Sequence, residues 1–174
     1  VVTAAEMLSI AAFEEGHHAQ AFPSFGSERN GAPVVAFCRI ADKEIRLREP
    51  IMAPDALIIQ DPTLLHQVDV FAGLKKDGFI LINTKSTFEE LGLSDYVRDW
   101  PANRLCTLAA TDLGLKHVAR PMPNVPLFAG FAELVGVVEL DSVCPAINAK
   151  FSRQVATGNI AGAKEAFQTV RARN

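Results

Sequence analysis

Several groups of residues in this 174-residue chain have the types that chemistry uses. His17 and His18 carry metal-ligating rings, but neighbours on a strand point to opposite faces and no carboxylate spacing supports them. Ser24 could be a nucleophile, yet it lacks the G-x-S-x-G elbow and its partners have no place in the pattern. In DGFILIN, Asp77 and Asn83 are the right types to hold a magnesium diphosphate. Lys76-Asp77-Gly78 lacks the first glycine of a Gly-Asp-Gly motif, however, and Asp77-Gly78 reads as a turn before a strand. Lys75-Lys76 could meet phosphates, although a surface lysine pair is more often only solvated. Cys38, Cys106 and Cys144 are far apart and form no CxxC. Local spacing therefore builds neither a zinc site nor an iron–sulfur cluster, and reduced thiols in a cytoplasmic protein are the simplest account.

The remaining group is Phe25, Glu28 and Arg29, set in the stretch FPSFGSERNGAPVVAFCR. Its first half is punctuated by Pro23, Gly26, Asn30, Gly31 and Pro33, and its second half is an apolar, β-branched run. Such a loop is held in one shape and presents Phe25, Glu28 and Arg29 from the edge of a sheet. The residue before a proline favours extended angles, so the chain reversal is expected at Asn30-Gly31. The plain alternative is a tight connection in which Glu28 and Arg29 are a solvated pair.

The elements that would position these groups follow from periodicity. Val1, Ala4, Ala5, Leu8, Ala11 and Ala12 predict an amphipathic helix over 1–15, with Gly16 as its stop. Strands are predicted at 18–22 and 34–40, and a turn at 41–43 leads into alternating residues at 44–48, suggesting a hairpin with one wet face. The apolar run 56–59 reads as a central strand, 79–82 and 105–109 as further strands, and 63–74 as a short helix or loop. A helical turn is expected at 86–91, and helices at 111–119, 127–135, 140–151 and 160–173, with Pro121, Pro123 and Pro126 breaking the pattern. Strands alternating with helices predict an α/β fold: a three-layer α/β/α sandwich with a Rossmann-like, mostly parallel sheet and an antiparallel hairpin. One domain over 1–174 is expected from length.

The formal net charge of −3 gives no reason to expect a nucleic-acid partner. No apolar run reaches the roughly 18 residues of a membrane span, and the opening residues lack the basic start of a signal peptide.

The string SFGSERNGAPVVAFCRI resembles the SFGPERRGAPV signature of the gamma subunit, or gamma domain, of the 2-oxoacid:acceptor oxidoreductases. These are the pyruvate and 2-oxoglutarate ferredoxin oxidoreductases. Ser24, Phe25, Gly26, Glu28, Arg29, Gly31, Ala32, Pro33 and Val34 match, while Ser27 replaces a proline and Asn30 replaces an arginine. VVTAAEML with EEGHHAQ, APDALIIQDPTLL and GNIAGAKEAF are similar to other parts of the same family. In that family a strand and a GRGGQG-like turn precede VVTAAE, so the resemblance implies a native N-terminus extending beyond Val1.

The resemblance implies a multi-subunit enzyme that oxidatively decarboxylates a 2-oxoacid to an acyl-coenzyme A and passes electrons to ferredoxin. Alpha and beta subunits would hold thiamine diphosphate with magnesium, and ferredoxin-like subunits the iron–sulfur clusters. This chain would bind no cofactor alone and have no catalytic residue. It would use Ser24, Phe25, Gly26, Glu28, Arg29 and Gly31 to dock and to close the coenzyme A side of the site, and could form a homodimer when isolated. Two other readings compete: a free-standing nucleotide-binding enzyme on a Rossmann-like sheet, and a non-catalytic interaction module. Bound-cofactor spectra and mass in solution distinguish them.

Overall fold

Three short apolar runs pair as parallel strands, and the middle one is buried on both faces. In this computed structural model, which describes residues 1–24 and 32–173, these are β3 (Ala56–Ile59), β4 (Phe79–Asn83) and β5 (Leu105–Leu108), in the order β3-β4-β5. They follow α1 (Val2–Glu14), β1 (His18–Ser24) and β2 (Val35–Ala41). After them come α2 (Ala110–Val118), α3 (Asn124–Val135), α4 (Leu140–Lys150) and α5 (Arg153–Arg171). The fold is α/β, as the alternation of elements predicts.

Alternation along β4 builds two apolar layers. Leu81 joins the large core formed with α1, α3, α4 and α5, which includes Met7, Phe128, Ile147 and Phe167. Ile80 and Ile82 face the other way, onto Phe71, Leu74, Phe88 and Trp100. Each fully buried isoleucine contributes about 1.5–3 kcal/mol of transfer free energy, so β4 anchors both layers. The run 56–59, expected to be central, is instead the edge strand beside β4 among the described residues.

The helices cover one face of the parallel sheet, and the two crossovers cover the other with turns. The first crossover begins with a 3-10 helix, Pro62–His66, capped by Asp61 Oδ1, which accepts from Thr63 N at 3.0 Å. In the second, Thr87 and Glu90 form a reciprocal capping box: Thr87 N donates to Glu90 Oε2 at 2.8 Å and Glu90 N to Thr87 Oγ1 at 3.1 Å. Gly92, at φ +75°, ends the structure after one turn.

The antiparallel hairpin departs from the expected one. β2 pairs with β1, from His18↔Ala41 to Ser24↔Val35, whereas residues 44–48 form no strand. The charges that mimic a wet strand face there serve each other locally: Arg46 donates to Glu44 Oε2 through both Nε and Nη2. On the inner face of the hairpin, Ala19, Cys38 and Ile40 pack on the core beside α1.

Helix boundaries also shift. α3 starts at Asn124, so Pro126 lies inside its first turn, where a missing N–H costs no intrahelical bond. α5 starts at Arg153, seven residues before the expected position, and runs through Gly158 and Gly162. Gly16 stops α1 as expected, at φ +87°, where an L side chain would be strained.

Candidate functional site

In an open parallel sheet, ligands sit beyond the carboxyl ends of the strands, where helix N-termini offer free N–H groups. Here that crest is filled from within by Asn83, the last residue of β4. Its Oδ1 accepts from Ala110 N at 3.0 Å and Thr111 N at 3.3 Å, in the first turn of α2. Its Nδ2 donates to Gln60 O at 3.0 Å and Thr111 Oγ1 at 2.9 Å. The polar capacity of this buried amide is thus spent inside the protein. Asp112 adds a carboxylate to the same turn, paired with Lys85 at 2.8 Å. These contacts weigh against a nucleotide phosphate seated on α2. Sequence reasoning placed no role on Asn83 beyond the incomplete diphosphate motif; its signal is an amide closing an apolar run.

Asp77-Gly78 is a structural turn, as expected. Asp77 sits at φ +66°, and its carbonyl accepts from Arg104 Nη1. The Gly78 carbonyl accepts from Trp100 Nε1 at 2.7 Å. A Cβ on Gly78 would meet Leu74 Cδ1 at 2.6 Å, which can swing aside, and the backbone oxygens of Asp55 and Lys75 at 3.0 Å, which cannot, so the space there is tight for any side chain. Lys75 is tied to Asp55 at 2.6 Å on the surface, so its charge is already partnered.

The histidines and Ser24 are not brought together. His17 Nδ1 contacts Asp42 Oδ1 at 3.2 Å, a clamp at the open end of the hairpin, while exposed His18 begins β1. Ser24 ends β1 opposite Val35, without a histidine partner among the described residues. Among those residues no three His, Cys, Asp or Glu side chains converge as a metal site.

The thiols do not fit a cluster. Cys38, Cys106 and Cys144 are free and stand on β2, β5 and α4. Burial pushes all three thiols up, Cys38 to about 12, so each is held in the protonated form that ligates metals poorly.

The outer face of the hairpin is where polar groups are left over. Phe22 and Phe37 are register partners with ring centroids 5.3 Å apart, and the Arg39 guanidinium lies 5.7 Å from the Phe22 centroid. Gln20 and Arg39 are also partners across the ladder, yet Gln20 Oε1 and Arg39 Nη1 are closed to solvent without a hydrogen-bond partner among the described residues. Two adjoining clefts, of about 330 and 300 Å³, share Gln20 and Arg48.

Of the predicted docking residues, only Ser24 is described. Phe25, Gly26, Glu28, Arg29 and Gly31 lie outside the described residues, as does the reversal expected at Asn30-Gly31. The arms flanking them are the ends of β1 and β2, where Val34 and Val35 are exposed.

These features define an α/β protein whose strand-end crest is closed by its own amides and whose unsatisfied polar groups lie on a hairpin. The chain belongs to the pyruvate ferredoxin/flavodoxin oxidoreductase family, whose model matches residues 1–169. It is 43% identical over 167 residues to the pyruvate/ketoisovalerate oxidoreductases common subunit gamma of Thermococcus litoralis, covering 96% of this chain and 89% of the relative. It is 39% identical over 170 residues to the pyruvate synthase subunit PorC of Methanothermobacter marburgensis, covering 98% and 90%. The crystal structure of pyruvate oxidoreductase subunit PORC from Thermotoga maritima superposes with a TM-score of 0.77 at 32% identity, over 96% of this chain and 88% of that one.

Proposed function

We propose that the chain is the gamma subunit of a 2-oxoacid:acceptor oxidoreductase that converts a 2-oxoacid to an acyl-coenzyme A. The observation that carries this is its similarity along nearly its whole length to chains named as gamma and PorC subunits. Pyruvate or a ketoisovalerate-type acid is the donor that fits those names; 2-oxoglutarate is the further donor of the resemblance. Thiamine diphosphate with magnesium and the iron–sulfur clusters belong to partner subunits, in keeping with the three scattered, protonated thiols of this chain.

In this reading the 25–29 loop docks on the thiamine-bearing subunits and closes the coenzyme A side. Its chemistry suits the task, since Phe25 brings apolar area and Arg29 a fork of donors for a carboxylate or phosphate. The test is reconstitution, following coenzyme A-dependent oxidation of pyruvate, ketoisovalerate and 2-oxoglutarate with a viologen acceptor. The chain alone should be silent, and the other subunits should need it for full activity. Arg29→Ala should leave the melting temperature unchanged while weakening assembly, or raising the KM for coenzyme A, by about tenfold. Turnover by the isolated chain would refute the assignment.

A further inference from the structure

We infer that the face of the parallel sheet opposite α1 docks on a basic surface of a neighbouring subunit, with the carboxylates of Asp69 and Asp99 flanking an aromatic stack as its recognition groups. The inference rests on the subunit reading above and concerns a different surface from the 25–29 loop. Ile59, Ile80 and Ile82 are buried on this face, yet the apolar residues laid over them, among them Leu65, Phe71, Phe88, Leu93 and Trp100, are only partly buried. Their cover consists of two stretches of turns, 62–74 and 84–104, whereas the other face carries the helices and the β1–β2 hairpin. A layer this thin leaves apolar area open to a further element.

Charge selects what that element is. Phe71, Tyr96 and Trp100 form a three-ring stack that ties the two stretches together, with centroids 4.4 Å apart for Phe71 and Tyr96 and 5.4 Å for Tyr96 and Trp100. Trp100 Nε1 is anchored on the Gly78 carbonyl, while Tyr96 is 41% exposed. Asp69 is set at one end of the stack by its own turn, its Oδ1 accepting from Phe71 N at 3.2 Å. Burial first, and the Asp69 charge second, push the Tyr96 phenol up, so that carboxylate lies within electrostatic reach of the hydroxyl. Asp95 and Asp99 stand on the same turn as Tyr96 and Trp100, and its one cation, Arg98, is held by Asp95. Asp69 and Asp99 thus give the stack a negative rim. A second copy of this chain would bring the same carboxylates face to face, and like charges across an interface repel. A small cation would meet the rim and leave the apolar layer uncovered. A subunit surface that carries Arg or Lys within an apolar patch meets both needs, with an exposed tyrosine on a rigid base as its anchor.

The experiment measures binding of the purified chain to the remaining subunits, isolated as a complex, across NaCl concentrations, with hydrogen exchange before and after assembly. Asp69→Asn keeps the Oδ1 acceptor for Phe71 N and removes only the charge, and Asp99 is exposed, so neither change removes a packing contact. Asp69→Asn and Asp99→Lys should each weaken binding by about tenfold, as loss of a charge-assisted contact does. Wild-type binding should weaken as salt rises, and the double variant Asp69→Asn with Asp99→Asn should depend on salt less steeply. Amides of residues 65–74 and 91–100 should gain protection on assembly. Wild-type affinity in either single variant, or no added protection in these two stretches, overturns the inference. A dimeric mass for the free chain, with protection of the same amides, also overturns it by making the face a self-association surface. If Arg29→Ala weakens assembly while Asp69→Asn and Asp99→Lys do not, the inference fails and the subunit reading stands. If the wild-type chain binds no other subunit, both fall.

Discussion

Asn83 grips Thr111 twice, donating from Nδ2 to its Oγ1 at 2.9 Å and accepting from its backbone N–H at 3.3 Å on Oδ1. One side chain at the end of β4 thereby fixes where α2 begins and ties that helix to Gln60 at the end of β3. A helix N-terminus at the strand-end crest of an open α/β sheet can seat an anion, and here the Asn83 amide caps it from within.

Asn83→Leu should therefore destabilise the protein. The change strips Ala110 N of its buried acceptor, and an unmet buried donor costs about 1–3 kcal/mol. The check is urea denaturation, with a lowered midpoint and an unchanged slope as the expected outcome. Asn83→Asp keeps the acceptor for Ala110 and Thr111 but sets a carboxylate against the Gln60 carbonyl. It should recover stability as pH falls and the new carboxyl becomes protonated.

The Cys38 thiol, pushed up to about 12 by burial, should resist alkylation in the native state. At ~pH 8 its thiolate fraction is roughly a thousandfold below that of an ordinary thiol, and iodoacetamide labelling read by mass spectrometry should show it. Linkage gives a second reading. The raised folded pKa contributes stability that is complete below the unfolded value of 9.0 and is lost as pH rises toward 12. Cys38→Ala should remove that alkaline component.

Much of this architecture is legible from local apolar runs, because a strand buried on both faces has few other ways to satisfy its residues. Residues 56–59 coincide with β3, and the 79–82 and 105–109 runs find β4 and β5 within a residue. What fails is whatever depends on a distant partner. Glu44, Ile45, Arg46 and Leu47 alternate as a strand would, but β2 finds its partner in β1, across the turn-rich stretch. The first two turns of α5 are hidden by Gly158, a poor helix former unless another element needs the space. Asn83 is a single polar letter whose four hydrogen bonds reach three residues remote in sequence, Gln60, Ala110 and Thr111, none of them suggested by its motif. The docking chemistry of the 25–29 loop rests on residue types and on the family resemblance, since those residues lie outside the described ones.

Glu165 on α5 accepts from Lys116 Nζ at 2.9 Å on both oxygens and contacts His117 Nε2 at 2.5 Å, joining α5 to α2. The Lys116 hydrogen bond first, and that of His117 second, hold its carboxyl below the usual carboxylate range. A depressed folded pKa gives stability that is present above the unfolded pKa, and it fades as pH falls through the folded value. Glu165→Gln should thus be less stable than wild type at neutral pH, by no more than about 1 kcal/mol for so exposed a group. The gap should close below the normal value of 4.5, in thermal melts taken across acidic pH.

Two glycines on α5 should respond in opposite directions to the same substitution. Both face His117 on α2, but at different separations. A Cβ on Gly158 would stand 2.6 Å from the His117 carbonyl oxygen and 3.0 Å from Val118 Cγ1. The oxygen is backbone and cannot swing aside, so Gly158→Ala forces α5 away from α2 or bends one of them. Overpacking of this kind costs about 1–3 kcal/mol. At Gly162 the added Cβ would meet the His117 side chain at 3.6 Å, an ordinary contact, and φ there is not in the left-handed region. Gly162→Ala should then be neutral or stabilising, since alanine in a helix interior is favoured over glycine by about 1 kcal/mol. Paired denaturation curves settle the matter. Equal losses for both variants would mean that α5 tolerates no added volume along this face. No loss for Gly158→Ala would mean that α2 and α5 are free to separate and that the short Gly158 approach does not position His117 against Glu165.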